Sequence, residues 1–252
     1  MILEVKELTV MAGHQQIFVD MNLVFRTSAL TALMGRNGSG KTSFLQVLAG
    51  LVKPVKGKVY LDGLDLRSFS TRERARLIGI LVQDESDAFF GSTWDYVSLA
   101  RIPWTNGWRS SEKDVRIVSD SLHLLGLDNL VKENYRLLSA GERQRARIAQ
   151  LLAQDTQVLL LDEPLQNLDV DYQGRVMKTL ALKAGMGVTI LSVLHDVYWA
   201  QNGCSDALLL FGEGNMKMGV VRDVLIPSNL YSLYGVAFAP VQTGDAWLVP
   251  QK

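Results

Sequence analysis

Gly35-Arg36-Asn37-Gly38-Ser39-Gly40-Lys41-Thr42-Ser43 is the stretch on which the fold turns. Its first eight residues fit G-x-x-x-x-G-K-[ST]. An apolar run of strand length, Leu30-Thr-Ala-Leu-Met34, leads into it. Beyond Lys41, Phe44, Leu45, Leu48 and Leu51 recur at helical spacing, with Gly50 placed to stop the helix. A strand, a glycine loop and a helix in that order let the loop N–H groups converge as an anion nest at the helix N-terminus. Lys41 would neutralise β- and γ-phosphate oxygens, and Thr42 would offer its hydroxyl to Mg²⁺. The sequence therefore predicts a nucleotide polyphosphate cradled by residues 35–43.

Further along, Val158-Leu-Leu-Leu161-Asp162-Glu163 is a buried strand that ends in two acids. Asp162 is placed to hold Mg²⁺ at the carboxyl edge of a sheet, and Glu163 to polarise an attacking water. Other runs fill in the frame. Ile17, Val19, Met21, Leu23 and Phe25 alternate as in a strand with one buried face, and Gly57–Gly63 reads as a strand between turns. Leu77–Val82 is a buried strand ending at Gln83, and Val188–Leu194 is another. Helices are expected over Glu142–Ala153 and around Val176 and Leu180. Strands alternating with helices predict an α/β core with a mostly parallel sheet. From about residue 92 to 141 strand-like runs vanish, and Val115, Val118, Leu122 and Leu125 mark an inserted, mostly helical lobe.

The chain has 252 residues, with 26 basic against 26 acidic side chains, so no overall field draws it to nucleic acid or an anionic membrane. With 48% hydrophobic and 21% charged residues it has the composition of a packed globule, not of a disordered chain. One cysteine, Cys204, rules out an internal disulfide and fits a reducing compartment. The apolar runs are far shorter than the roughly 18 residues a membrane-spanning helix needs. No cleavable leader is evident at the N-terminus, so a cytosolic location is expected.

Leu138-Ser139-Ala140-Gly141-Glu142-Arg-Gln144-Arg resembles the signature of ATP-binding cassette proteins, usually written L-S-G-G-Q. It lies between the phosphate loop and the Asp162-Glu163 strand, as in that family. Leu168-Asp169 resembles the family's D-loop, His195 its switch histidine and Gln83 its Q-loop glutamine. The resemblance covers nearly the whole chain. It implies a single ABC-type nucleotide-binding domain with an N-terminal antiparallel β-subdomain. The core would span about 1–91 and 142–236, the helical lobe about 92–141 and a short tail 237–252. It also implies ATPase activity with ATP and Mg²⁺, the metal held by Thr42, Gln83 and Asp162. Glu163, His195 and Gln83 would act on the γ-phosphate and the attacking water. Two copies would pair head to tail, so that Ser139, Ala140, Gly141, Glu142 and Asp169 of one chain complete the site of the other.

Two positions depart from the family pattern. Ala140 stands where glycine is usual, and an alanine there would be strained if the backbone were left-handed. Near Met11-Ala12-Gly13-His14 no aromatic residue is available to stack on adenine, which leaves His14 or Met11. The arginines Arg143, Arg145 and Arg147 read as a solvated helix face.

A chromosome-type cassette would carry a long heptad segment between Lys41 and Asp162, and a translation factor would carry two cassettes; neither is present. Ala100-Arg101-Ile-Pro103-Trp104, Leu194-His-Asp196 and Leu233-Tyr-Gly-Val236 resemble the importer branch for iron-siderophores, haem and cobalamin. That branch implies a peripheral subunit on the cytoplasmic side of the plasma membrane. It would dock on separate permease subunits, and through them serve an external substrate-binding protein, with no nucleic-acid partner. Phe89, Phe90 and Trp94 either grip a permease helix or pack in the core. The alternatives are a soluble ATP-driven switch acting on a non-transport partner and, more distantly, a small-molecule kinase.

Overall fold

The structure is a computed structural model that describes residues 1–12, 15–83, 89–105, 111–212, 214–241 and 247–250. Strands β1 (Leu3–Ala12) and β2 (Gln15–Phe25) form an antiparallel pair, and β3 (Leu30–Gly35) runs into the glycine loop and α1 (Lys41–Leu48). β4 (Lys56–Leu61), β5 (Leu64–Asp65), α2 (Thr71–Leu77) and β6 (Ile78–Leu81) follow. Then come three helices, α3 (Thr93–Ser98), α4 (Glu112–Leu124) and α5 (Ala140–Ala153), before β7 (Val158–Leu161). The chain continues through α6 (Val170–Gly185), β8 (Thr189–Val193), α7 (Val197–Gly203), β9 (Asp206–Gly212), β10 (Asn215–Val220), α8 (Val221–Val224) and α9 (Pro227–Tyr234). Phe238–Val241 and Trp247–Pro250 pair antiparallel.

The main sheet has the order β10-β9-β3-β8-β7-β6. All of its neighbours pair in parallel except β10, which turns back on β9. A second, antiparallel sheet, β2-β1-β4-β5, stands beside it. Central strands must bury both faces, and their alternation shows it. Leu159 and Leu161 of β7 face the core shared with α5 and α6, whereas Val158 and Leu160 face the core shared with α1 and the antiparallel sheet. No helix among the described residues is long and apolar enough to cross a membrane.

The helices between β6 and β7 begin on one device. Ser92, Ser111 and Ser139 each cap a helix and close a reciprocal box with an acid three residues on, as Ser70 does for α2. Within this segment Tyr96 stacks on Tyr135 with ring centroids 4.0 Å apart, and Phe89 meets both rings edge-on.

Three expected burial patterns differ. In β2 it is Phe18 that is buried, while Val19 is 47% exposed. The register slips between the Leu8–Met21 and Val10–Phe18 pairs, with Asp20 left-handed at φ 47°, and a bulge of this kind moves the following side chain to the other face. Leu51 is exposed because α1 ends at Leu48 and Gly50 turns left-handed before it. Val115 is exposed in the first turn of α4, whose buried face runs through Asp114, Val118, Ser121 and Leu122.

Candidate functional site

Parallel pairing brings four strand ends to one edge. Leu81 lies opposite Leu161, Leu161 opposite Ser192, and Leu33 opposite Val193, so the chain leaves β6, β7, β8 and β3 side by side. Just past those ends, in the same order, stand Gln83, Asp162-Glu163, His195 and the glycine loop. A cleft of about 570 Å³ opens there, lined by Asn37, Gly38, Gly40, Lys41, Thr42, Ser43, Gln83, Glu163 and His195.

The loop is shaped from beneath by β2. Gly40 has φ 90°, and a Cβ at that position would clash with Ile17, so only glycine serves. Lys41 is buried and folds back so that its Nζ donates to the carbonyls of Gly35 (2.9 Å) and Arg36 (3.0 Å). Burial lowers its pKa, opposed by the negative charges of Glu163 and Asp162. The Ser39 hydroxyl is buried inside the loop with no protein partner among the described residues. Arg36 instead turns away from the cleft, its Nη2 3.5 Å from the Tyr234 carbonyl.

Thr42 Oγ1 donates to Asp162 Oδ2 at 2.6 Å. Asp162 is 4% exposed, and burial pushes its carboxyl up, with the Thr42 hydrogen bond acting the other way. A hydroxyl and a carboxylate meeting in a low-dielectric corner form an all-oxygen donor set that suits a hard divalent cation such as Mg²⁺. Adding a positive charge there would also relieve the desolvated carboxylate. No cluster of three or more His, Cys, Asp or Glu side chains that could cage a metal occurs among the described residues. The remaining ligands of such an ion would come from phosphate, water and the side-chain oxygen of Gln83, which also lines the cleft.

Glu163 carries the next contact. Its Oε1 lies 2.8 Å from His195 Nε2, and Gln83 Nε2 approaches its Oε2 at 3.4 Å. Its backbone is left-handed at φ 51°, uncommon for a residue with a Cβ and typical of functional turns. The carboxylate and the histidine singled out in the sequence thus meet at the cleft.

Ser139, Ala140, Gly141, Glu142 and Asp169 do not line this cleft. Ser139 Oγ accepts from the Glu142 N–H (3.3 Å), and the Ser139 N–H donates to Glu142 Oε2 (2.8 Å). Hydrogen bonding from the Ser139 hydroxyl, and from its N–H, holds the Glu142 carboxyl below the usual carboxylate range. Ala140 opens α5 with ordinary right-handed backbone and is exposed, so the expected left-handed strain is absent. Gly141 is the position that needs glycine, since a Cβ would lie 2.8 Å from the Asn167 carbonyl oxygen. Asp169 caps α6, accepting from the Tyr172 N–H at 3.0 Å.

Two arginines read as solvated in the sequence are not. Arg145 is buried, donates to the carbonyls of Leu125 and Gly126 at 2.9 Å each and sits 4.0 Å over the Tyr172 ring. Arg147 reaches the backbone carbonyls of Val82 and Gln83 and the Gln144 side chain. Gln144, missed in the sequence, donates to the Pro164 carbonyl at 3.0 Å and lies 3.4 Å from that of Glu163. The available signal was position: Gln144 and Arg145 precede Ile148 and Ala149 by four residues, on the buried side of an amphipathic helix. One helix thereby holds the backbone on either side of the Glu163–Gln83 contact.

Met11 is half-buried near the end of β1, and His14 lies outside the described residues. Phe89 and Trp94 pack against the core, whereas Phe90 is 77% exposed with the Arg136 guanidinium 4.7 Å over its ring.

A family profile described as ABC transporter matches residues 18–166. The hemin import ATP-binding protein HmuV of Bordetella pertussis is 35% identical over 248 residues, covering 94% of this chain and 93% of that protein. The petrobactin import ATP-binding protein YclP of Bacillus subtilis is 31% identical, with 96% of each chain covered. Among solved structures, an inward-facing metal-chelate type ABC transporter superposes with a TM-score of 0.84 at 26% identity, covering 99% of this chain and 97% of that one. The chain belongs to the ABC transporter family, as one of its ATP-binding, ATP-hydrolysing subunits.

Proposed function

We propose that this subunit powers import of a haem-like or ferric-siderophore-like metal chelate through separate permease subunits, as a peripheral protein on the cytoplasmic face of the membrane. The observation that carries the proposal is the 2.8 Å Glu163–His195 contact beside the Lys41–Thr42–Asp162 cluster. The import names of the relatives support the cargo class.

Lys41 and the glycine-loop N–H groups bind the phosphates and hold them in line. Thr42 and Asp162, with Gln83, would hold Mg²⁺, which supplies charge neutralisation on the phosphate oxygens when bound. Glu163 orients and polarises the attacking water; His195, in contact with that carboxylate, senses whether the γ-phosphate is present. Ser139 and Gly141 lie away from this cleft, which favours their use by a second copy in a head-to-tail pair. The helical segment 92–141 acts as the lobe that passes closure to the permease, with exposed Phe90 as a contact. Closure and opening are a population shift driven by γ-phosphate binding and loss.

The test is isolation of the tagged chain from gently solubilised membranes, with mass spectrometry of what accompanies it. A polytopic permease in two-to-two ratio is expected, with stimulation of turnover by a chelate-loaded binding protein. A soluble partner in its place would overturn the import reading while leaving the ATPase intact. Glu163→Gln should lower turnover by about 10²-fold or more with nucleotide binding retained.

A further inference from the structure

A further pocket of about 210 Å³ adjoins the Glu163–His195 pair, with Gln173 and Trp199 also in its lining. Hydrogen bonds span this pocket and tie together the two loops that meet at the pair. Trp199, one turn beyond His195 in α7, donates its indole N–H to Gln173 Oε1 at 2.9 Å. The Gln173 amide then donates to the carbonyls of Leu168 (3.1 Å) and Leu165 (3.3 Å), within the loop that begins at Glu163. These bonds bracket Asn167, which is left-handed at φ 62°, as Glu163 is at φ 51°. Non-glycine residues keep such backbone only where the surroundings over-determine it.

We propose that Gln173, anchored by Trp199, is a positioning residue for ATP hydrolysis: it closes a ring of contacts that fixes the Glu163 carboxylate against His195. The ring runs from Glu163 along its loop to Leu168, through Gln173 and Trp199 into α7, and back by Asp196 to His195. Asp196 stiffens that return by capping α7, accepting from the Tyr198 N–H at 2.8 Å. Neither Gln173 nor Trp199 lines the nucleotide cleft, so their effect passes to the chemistry through backbone placement. The proposal rests on Glu163 and His195 being the hydrolytic pair.

The test is steady-state phosphate release by the full chain, with nucleotide affinity and thermal unfolding measured in parallel. Gln173→Met keeps the side-chain volume and deletes three hydrogen bonds; kcat should fall about 10-fold, with nucleotide affinity within about 2-fold of wild type. Trp199→Phe keeps a ring in place and deletes one bond, for a fall of about 3-fold. The double variant should match Gln173→Met within about 2-fold, because the indole acts only through the amide. Unchanged kcat in Gln173→Met, a loss confined to nucleotide affinity, or multiplicative losses in the double variant would each overturn the brace. Glu163→Gln separates the two levels. If it retains turnover, the hydrolytic pair itself is misassigned; if it is inactive while Gln173→Met is normal, only the brace fails.

Discussion

Arg101→Met tests whether the segment after α3 is held by one buried ion pair. Arg101 sits in a 3₁₀ turn at 4% exposure, its Nε donating to Asp114 Oδ1 at 2.8 Å. Its Nη1 donates to the Ala153 carbonyl at 2.8 Å, at the C-terminus of α5 where a cation is also favoured by the helix dipole. Methionine fills most of the volume but strands the carboxylate and that carbonyl. Removing one partner of a buried pair costs about 3–5 kcal/mol. Asp114 keeps its bonds to the Ser111 hydroxyl (2.6 Å) and N–H (3.0 Å), which places the loss near the lower end, about 3 kcal/mol. For a chain of this size that is a fall in Tm of about 6–12 °C. Calorimetry and urea unfolding of the full chain read it directly. Adding Asp114→Asn should return about 1 kcal/mol or more, because no unpaired charge remains while the amide oxygen still accepts from the Ser111 N–H and hydroxyl. A loss under about 1 kcal/mol, the scale of a surface pair, would refute the reasoning.

Three further outcomes are expected. Gly40→Ala should cost about 2–4 kcal/mol, from left-handed strain plus the clash with Ile17; unfolding experiments should find it less costly when introduced into an Ile17→Ala background. Ala140→Gly should lower stability by about half a kcal/mol and not raise it, since the position is already right-handed helix; denaturant midpoints decide this. Asp162→Asn should raise the Tm of the nucleotide-free protein at pH 7. Burial holds this carboxyl's pKa above its unfolded value of about 3.9, so the folded state binds protons more tightly. Stability is then lost as pH rises through that window, and the advantage of asparagine should vanish in melts below about pH 4.

Most of the cleft is legible in the sequence because each of its residues directly follows an apolar run that can only be a buried strand. Parallel pairing then does the rest, carrying Gln83, Asp162, Glu163 and His195 to one edge without any long-range information in the motifs themselves. The misplaced residues share a cause. Val19 and Phe18 exchange faces because Asp20 adopts a left-handed backbone that no period-two count contains. Arg145 and Arg147 look solvated until their acceptors, carbonyls contributed by residues 125–126 and 82–83, are brought to them by the tertiary fold. Gln173 and Trp199 carry no local pattern at all, since their partnership joins two different helices. Motif spacing reports the groups that touch a ligand, and it is blind to groups whose partners are other parts of the protein brought in by the fold.

The placement of the helical segment also dictates an order of assembly. Ile78 and Val158 stand opposite each other in the paired strands β6 and β7, yet the whole of α3, α4 and α5 lies between them in the chain. Closing a loop of about 79 residues as random coil would cost on the order of 4 kcal/mol in chain entropy before a single strand contact formed. The serine–acid boxes supply a cheaper route, since each lets a helix start from contacts three residues apart. Once these helices dock through α5, the two strand ends arrive as near neighbours. Slow-forming sheet thus waits on fast-forming helix, and pulse-labelled amide exchange should find protection in α5 before β6.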